Sequence, residues 1–486
     1  MQPEVTFGRA GSVLLRIVLA LAQILFLLDL LSRSETTMLL DRHEAFVLPR
    51  NDGGSAPIRG SEEVFGSVRA SMREYYSSQE SKVGVLSHES TSFFSSLQAA
   101  VDNADPVERC ARYGFSEDPG LVRNPRRIFY GALVADESME LFEIVAAEAR
   151  GIYSGMVLVE SNRTQNYTPR QLRFASNADA ASQLFAGLFD TNVQIIDYQK
   201  ENPHVLGLFR ENLQRQQILT GWREMGMGPD DIGLIADPDE TFSRDFLRAA
   251  QTCRMQPFDY ETYRCGHAIM KGVGLGFESS PDCITAEREW GHPDMAIGHC
   301  IEGIGNLTPT PRRKNQYGFN DLSPNCKKLA GPNPYRPEGN FSYPPLNAWD
   351  FRKRCGFRFA HHYRFSYHKG GPKKDNYTSY SAFHMHNFFA GHNDLRFKYR
   401  TFGHTVKNHE TKSLEEFSMD LKMMVRCVKG VDDDPDQKWK RVPGGYARLK
   451  PMLPIYFHDP KYREERHALI QKMVDEDELN RIKNQE

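Results

Sequence analysis

The sequence has almost no net charge. Across 486 residues, 61 Lys and Arg stand against 63 Asp and Glu, a formal −2. No global field therefore draws the chain to nucleic acid, and no nucleic-acid partner is expected. It also lacks any Cys-x-x-Cys pair, which argues against a zinc site of the finger type. Between Asn51 and Ala100 there is no sustained apolar periodicity, only twelve serines among scattered hydrophobics. Such a stretch buries little surface and reads as an extended spacer.

What is present begins with one apolar run. Val13 to Leu31 holds nineteen residues, almost all apolar, enough to span a bilayer. Arg16 and Asp29 lie near its ends, and Gln23 is the polar residue at mid-depth. The run exceeds a usual signal-peptide core and lacks a clear A-x-A site after it. Arg9 and Arg16 favour keeping the short N-terminal side in the cytosol. The expectation is a single-pass type II anchor with the bulk of the chain in a lumen; a signal peptide and a buried helix are the alternatives. Eight cysteines and five Asn-x-Ser/Thr sequons (Asn162, Asn166, Asn306, Asn340, Asn376) agree with an oxidising, lumenal setting. Sequence does not choose the pairing of the cysteines.

Beyond the spacer, short apolar runs alternate with helical patterns. Ile128 to Val134 reads as a strand ending in Asp136-Glu137. Ser138 to Ala149 reads as an amphipathic helix with Ser138 as N-cap. Met156 to Val159 is a second strand, ending in Glu160-Ser161. Val193 to Ile196 is a third, Leu206 to Arg223 a helix, and Ile232 to Ala236 a fourth strand. A helix is expected from Thr241 to about Cys253. This alternation predicts an α/β layer with a mostly parallel sheet. The fourth strand ends in Asp237-Pro238-Asp239-Glu240. Ligands of open α/β sheets gather at the carboxyl ends of strands, and hard cations prefer clustered carboxylates. The same acids also suit a helix start, with Asp237 as cap. Both uses are compatible.

From Arg254 to about Tyr343 the pattern breaks down. Six of the eight cysteines lie between Cys253 and Cys355, so a loop-rich insertion stapled by disulfides is expected. Histidines then concentrate: eight of sixteen fall between His361 and His409. His384 and His386 alternate as on one face of a strand. They read either as metal ligands or as ordinary polar partners. Leu414 to Cys427 reads as a helix. Asp432-Asp433-Asp434 reads as solvated loop. A last helix runs from Pro460 to about Ile482, packing Leu469, Met473 and Leu479 inward.

Four blocks in this order resemble the β-1,4-mannosyl-glycoprotein N-acetylglucosaminyltransferases, glycosyltransferase family 17, the bisecting-GlcNAc enzymes. They are Ile128-Phe-Tyr-Gly-Ala-Leu-Val-Ala-Asp136-Glu137; Val157-Leu-Val-Glu160-Ser161-Asn162-Arg-Thr164; Arg210-Glu211 through Gln214-Arg215 to Asp237-Pro-Asp239-Glu240; and His384 with Lys398, Phe402 and His404. The chain departs from the family pattern in places. Thr241-Phe242 replace Ile-Pro, Ala382-Phe383 replace Gly-Trp, and His386 replaces Ser. The resemblance implies a GT-A-like nucleotide-sugar-binding fold, a UDP-GlcNAc donor and a divalent cation such as Mn²⁺. It implies inverting transfer to a mannose of an N-glycoprotein acceptor, by a Golgi membrane enzyme. On that reading Asp237, Asp239 and His384 hold the metal. Asp136, Glu137, Glu160 and Arg215 meet the donor, and Glu240 is the candidate base beside Asp239. An acid from the insertion is the alternative base, and a surface salt bridge the alternative role of Arg215.

The expected layout is a cytosolic tail at 1–12, an anchor at 13–31, a stem at 32–124 and a glycosyltransferase domain at 125–486, with the cysteine-rich insertion at 254–343. Two rivals to transfer are a non-catalytic glycan-binding protein of the same fold and a metal-dependent hydrolase.

Overall fold

Apolar strand runs place the core. In a computed structural model of the chain, residues 88–165, 167–199, 208–255, 269–272, 274–288, 292–305, 346–348, 357–360, 363–365, 380–401, 414–429 and 445–483 are described. The expected anchor at 13–31 lies outside them, and among the described residues no helix is long and apolar enough to cross a membrane.

The described chain opens with α1 (His88–Asp102), α2 (Pro106–Arg112), β1 (Ser116–Glu117) and α3 (Pro119–Arg123). An alternating run follows: β2 (Ile128–Val134), α4 (Met139–Ala149), β3 (Tyr153–Ser161), α5 (Ala178–Phe189), β4 (Val193–Tyr198), α6 (Leu208–Glu224) and β5 (Ile232–Ala236). Next come β6 (Glu240–Phe242), α7 (Arg244–Thr252), β7 (Cys253–Arg254), β8 (Ile269–Gly272), β9 (Gly274–Glu278), β10 (Ile284–Arg288) and β11 (Asp294–Ile297). The last elements are β12 (Phe357–Ala360), β13 (Tyr363–Phe365), β14 (Ala382–His386), α8 (His392–Thr401), α9 (Leu414–Lys429), α10 (Gly445–Leu449) and α11 (Pro460–Lys483).

The large sheet has the order β13-β12-β8-β11-β5-β2-β3-β4. Its β5-β2-β3-β4 half is parallel. Parallel neighbours need crossover segments, and α4, α5 and α6 supply them. Both faces of β2 and β5 are covered, so their sequences are nearly continuous apolar runs. Packing here is close enough to exclude side chains. A Cβ on Gly131 would fall inside Ile218 of α6, and one on Gly221 would lie 2.6 Å from Val157. Trp222 is fully buried beside them and donates its indole N–H to the Tyr130 carbonyl at 3.0 Å.

The other half departs from the expected mostly parallel sheet. β11 runs antiparallel to both β5 and β8, and β13 antiparallel to β12, so the sheet is mixed. A second sheet, β10-β9-β14-β6, joins segments far apart in sequence. Four of these strands, β8 to β11, come from the segment read as a loop-rich insertion. They are only four or five residues long, so no periodicity marks them. Nor do the described disulfides close that segment on itself. Cys253 bonds Cys110 of α2, and Cys283 bonds Cys427 of α9.

The folded region also starts earlier than residue 125. Phe94 of α1 stacks on Tyr456 at 5.0 Å, and Asp102 bridges Arg244 and Arg248 of α7 at 2.6 and 2.9 Å. These contacts are long-range, which is why the local pattern of 88–124 resembles a spacer. Thr241 and Phe242 are strand, not helix, because β6 pairs with β14. The Ser138 hydroxyl does not cap α4; it donates to the Phe388 carbonyl at 3.0 Å.

The C-terminal helix α11 buries Tyr462, Arg466, Ile470, Met473, Val474 and Asp477, whereas Leu479 is exposed. Arg466 is the fixed point. Its guanidinium donates to the carbonyls of Ser279 (2.6 Å) and Phe389 (2.9 Å) and to the Glu140 carboxylate (2.9 Å). It thus ties α11 to the ends of β9 and β14 and to α4. Removing a buried charged donor strands its acceptors, so Arg466→Ala should cost about 3–5 kcal/mol. Arg466→Lys, lacking the planar fork, should recover only part of that. Chemical denaturation of the two variants measures both.

Candidate active site

Strand β5 is buried along its whole length and delivers Asp237 to the carboxyl edge of the parallel half-sheet. Pro238 turns the chain. The turn closes on itself, because Glu240 N–H donates to the Asp237 carbonyl at 2.9 Å and Asp237 N–H donates to Glu240 Oε2 at 3.1 Å. It also closes on β14, where Met385 N–H donates to the Asp239 carbonyl at 2.7 Å. Antiparallel pairing then sets His384 opposite Glu240.

The outcome is a three-residue group. One ligand atom each from Asp239, Glu240 and His384 lies within 4.8 Å of the others. His384 Nε2 stands 3.5 Å from Asp239 Oδ2. Burial alone would raise the Asp239 carboxyl, but His384, and further off Lys398, hold it below its ordinary value. For His384, burial favours the neutral ring, yet the Asp239 and Glu240 carboxylates outweigh it and raise its pKa. Two carboxylates and an imidazole converging in this way form a donor set that fits a divalent cation of the Mn²⁺ type.

The other residues singled out from sequence lie around this group in different roles. Asp237 is turned to Arg215, whose Nη2 donates to it at 2.6 Å and to Glu211 at 2.8 Å. Asp136 follows β2, 3.8 Å from Arg170. Glu137 accepts the Ala135 N–H at 2.5 Å, and burial pushes its pKa up to about 7. Glu160 is fully buried and fully used, accepting the N–H groups of Arg173, Phe174 and Ala175 at 2.7–2.9 Å. It fixes the loop after β3 and leaves no oxygen facing outward. Glu240 is 2% exposed, so it is the floor of the group rather than its rim.

Sequence reasoning left out Arg170 and Arg173, and gave no role to Lys398. Arg170 and Arg173 tie the loop after β3 to the end of β2, through the carbonyls of Val134, Ala135 and Glu137. Lys398 of α8 lies close enough to act on Asp239, His384 and His386. His386 is bonded through Nδ1 to the buried Glu278 at 2.8 Å, its ring centre 5.7 Å from that of His384. The Lys398 position stood in the fourth sequence block, which offered the one signal for it. Phe402 and His404 of that block lie outside the described residues.

Residues 89–260 match the model of the family described as Glycosyltransferase family 17. This is the family that the sequence blocks resemble, and the match supports a glycosyltransferase. It covers the first three blocks and ends before β8, so the Glycosyltransferase family 17 match includes Asp239 and Glu240 but not His384. Comparison with curated proteins gives no match.

A cation can use His384 only after its proton leaves. With its pKa raised above the ordinary 6.5, that proton stays bound through slightly acidic pH. Mn²⁺ affinity of the folded chain should therefore climb as pH rises through and beyond that value, with proton release on binding. Titration calorimetry in two buffers of different ionisation heat measures both, and an affinity indifferent to pH would rule out His384 as ligand.

Proposed function

We propose that this chain is a metal-dependent inverting glycosyltransferase that moves GlcNAc from UDP-GlcNAc to a mannose of an N-linked glycan. The observation that carries this reading is the convergence of Asp239, Glu240 and His384 at the strand edge of a chain matching Glycosyltransferase family 17. Asp239, Glu240 and His384 would hold a divalent cation, which when bound offsets the charge that develops on the diphosphate.

The chain's own groups divide the remaining work. Arg215, held between Glu211 and Asp237, sets a positive charge against the acidic turn and keeps Asp237 oriented. Asp136 and Glu137, at the end of the neighbouring strand, suit the hydroxyls and the N–H of a nucleoside. Glu137, with a pKa near 7, is able to donate or accept. Glu160 and its three amides keep that edge rigid. Lys398, reaching over from α8, adds a second positive charge. A proton must leave the attacking hydroxyl in an inverting displacement. Glu240, the base expected from sequence, is sealed beneath the group and better suited to the cation.

We place the enzyme in the Golgi membrane, with the folded part lumenal. The apolar run at 13–31 and the two disulfides found among the described residues support this, because such bonds persist in oxidising compartments.

The decisive measurement is binding and transfer with a panel of UDP-sugars, with and without Mn²⁺. UDP-GlcNAc should be preferred, and binding should need the cation. Asp239→Asn should lower transfer by about 100-fold or more while the protein stays folded. Full activity in that variant would refute the metal role. A folded wild type that binds glycans but no nucleotide sugar would favour a non-catalytic glycan-binding protein.

A further inference from the structure

A second anchored imidazole stands beside the cation group. β14 sends His384 and His386 to one face, because side chains alternate along a strand. Their ring centres lie 5.7 Å apart. Parallel pairing with β9 sets Gly276 level with His384 and Glu278 level with His386. Glu278 is buried, and its Oε2 meets His386 Nδ1 at 2.8 Å. Its Oε1 accepts from Asn387 Nδ2 at 2.6 Å, and the same amide nitrogen donates to the Tyr399 hydroxyl at 3.0 Å. A carboxylate only accepts, so it takes the Nδ1–H of His386 and leaves Nε2 as the ring nitrogen for a ligand.

The backbone is bent to build this pair. Ser279 and Asn387, the residues that follow β9 and β14, both take the left-handed conformation, with φ of 60° and 59°. Residues other than glycine held there mark a local demand on the chain. The turn at Asn387 brings its side chain back onto Glu278. Ser279 N–H donates to the His386 carbonyl at 2.8 Å, and the Ser279 hydroxyl to the Asn387 carbonyl at 3.0 Å. Arg466 grips both turns through the carbonyls of Ser279 and Asn387, at 2.6 and 3.4 Å. The ring so held is the open one. The His386 side chain keeps 37% of its exposure, against 11% for His384 and 19% for Asp239. It stands at the rim of a group whose floor is Glu240.

We infer that His386 is a specificity-determining residue that holds a hydroxyl of the transferred sugar through Nε2, with Glu278 as its positioning residue. The inference rests on the glycosyltransferase reading above and deepens it. With the diphosphate at the cation group, the sugar it carries is the next group outward, and His386 is the next ring outward from His384. A sugar hydroxyl both donates and accepts, so Nε2 can bond one whether or not the ring carries a charge. No proton has to move for this role. The family pattern has Ser at this position, and a Ser side chain does not reach as far as an imidazole, so the contact belongs to this chain.

Two substitutions in the full chain separate contact from support. An Asn side chain reproduces the reach of Nδ1, and a Gln side chain that of Nε2. His386→Asn therefore keeps an N–H for Glu278 but removes the outward atom. His386→Gln keeps an outward polar atom but gives up the bond to Glu278. Calorimetry in the presence of Mn²⁺ compares UDP with the UDP-sugar that the wild type prefers, and thermal melting is followed for each variant. His386→Asn should weaken the UDP-sugar about 10-fold, the scale of one hydrogen bond, while UDP binding and melting stay near the wild type. His386→Gln should weaken the UDP-sugar less, although it melts lower. Weakening of UDP and UDP-sugar alike in the Asn variant, or of neither, overturns the inference. A Gln variant weakened as much as the Asn variant, or more, also overturns it and makes His386 a support for Glu278. A folded wild type that binds neither UDP nor any UDP-sugar ends the glycosyltransferase reading and this inference with it.

Discussion

The pairing of β6 with β14 is the constraint on which the candidate site depends. The three residues of β6, just past the turn that ends β5, and three from a segment far downstream form one short antiparallel ladder. Its register sets Glu240 against His384, and the Met385 N–H closes it onto the carbonyl of Asp239. Shifting that register by one residue would turn His384 to the other face, because side chains alternate along a strand. The group of Asp239, Glu240 and His384 is thus a property of backbone hydrogen bonds before it is one of side chains.

That short ladder is held from behind. β14 also pairs in parallel with β9, and the ends of β9 and β14 are gripped together by Arg466 of the last helix. The Cys283–Cys427 disulfide adds a covalent tie between the β9–β10 turn and α9. Close to it, Arg463 and His467 both engage Asp282. The C-terminal region therefore supports the site in two ways, contributing His384 directly and clamping the sheet that presents it. At the front, Glu160 and the arginines of the loop after β3 do the same for the other strand ends. The edge is rigid on both flanks, as a site that stabilises developing charge requires.

Much of the first half of the fold was legible in the sequence. Ile128–Val134 and Ile232–Ala236 are found as strands with the bounds expected, because a strand buried on both faces writes itself as a continuous apolar run. The two helices expected between them, Ser138–Ala149 and Leu206–Arg223, agree to within a few residues, whereas α5 (Ala178–Phe189) was not among those expected. Legibility failed where contacts are distant. Residues 88–124 look like a spacer because Phe94, Asp102 and Cys110 find their partners more than a hundred residues away. Strands β8 to β11 look like an insertion because each is only four or five residues long, too short to show a period. In α11 the apolar Leu479 is exposed while Arg466 is buried, since one buried guanidinium can satisfy several carbonyls at once.

The sequence by itself determined the alternating α/β half-sheet, the delivery of Asp237, Asp239 and Glu240 to a strand end, and the family resemblance that the match over 89–260 repeats. These follow from local order along the chain, where periodicity and adjacency are enough. Tertiary structure decided how those acids divide. Asp237 turns to Arg215, Glu160 is spent on backbone amides, and Glu240 rather than Asp237 joins Asp239 and His384 in the three-residue group. It also decided that His386, on the same strand face as His384, is anchored to the buried Glu278. Such choices depend on which side chains meet across a sheet, and pairing between distant strands leaves no periodic trace in the sequence.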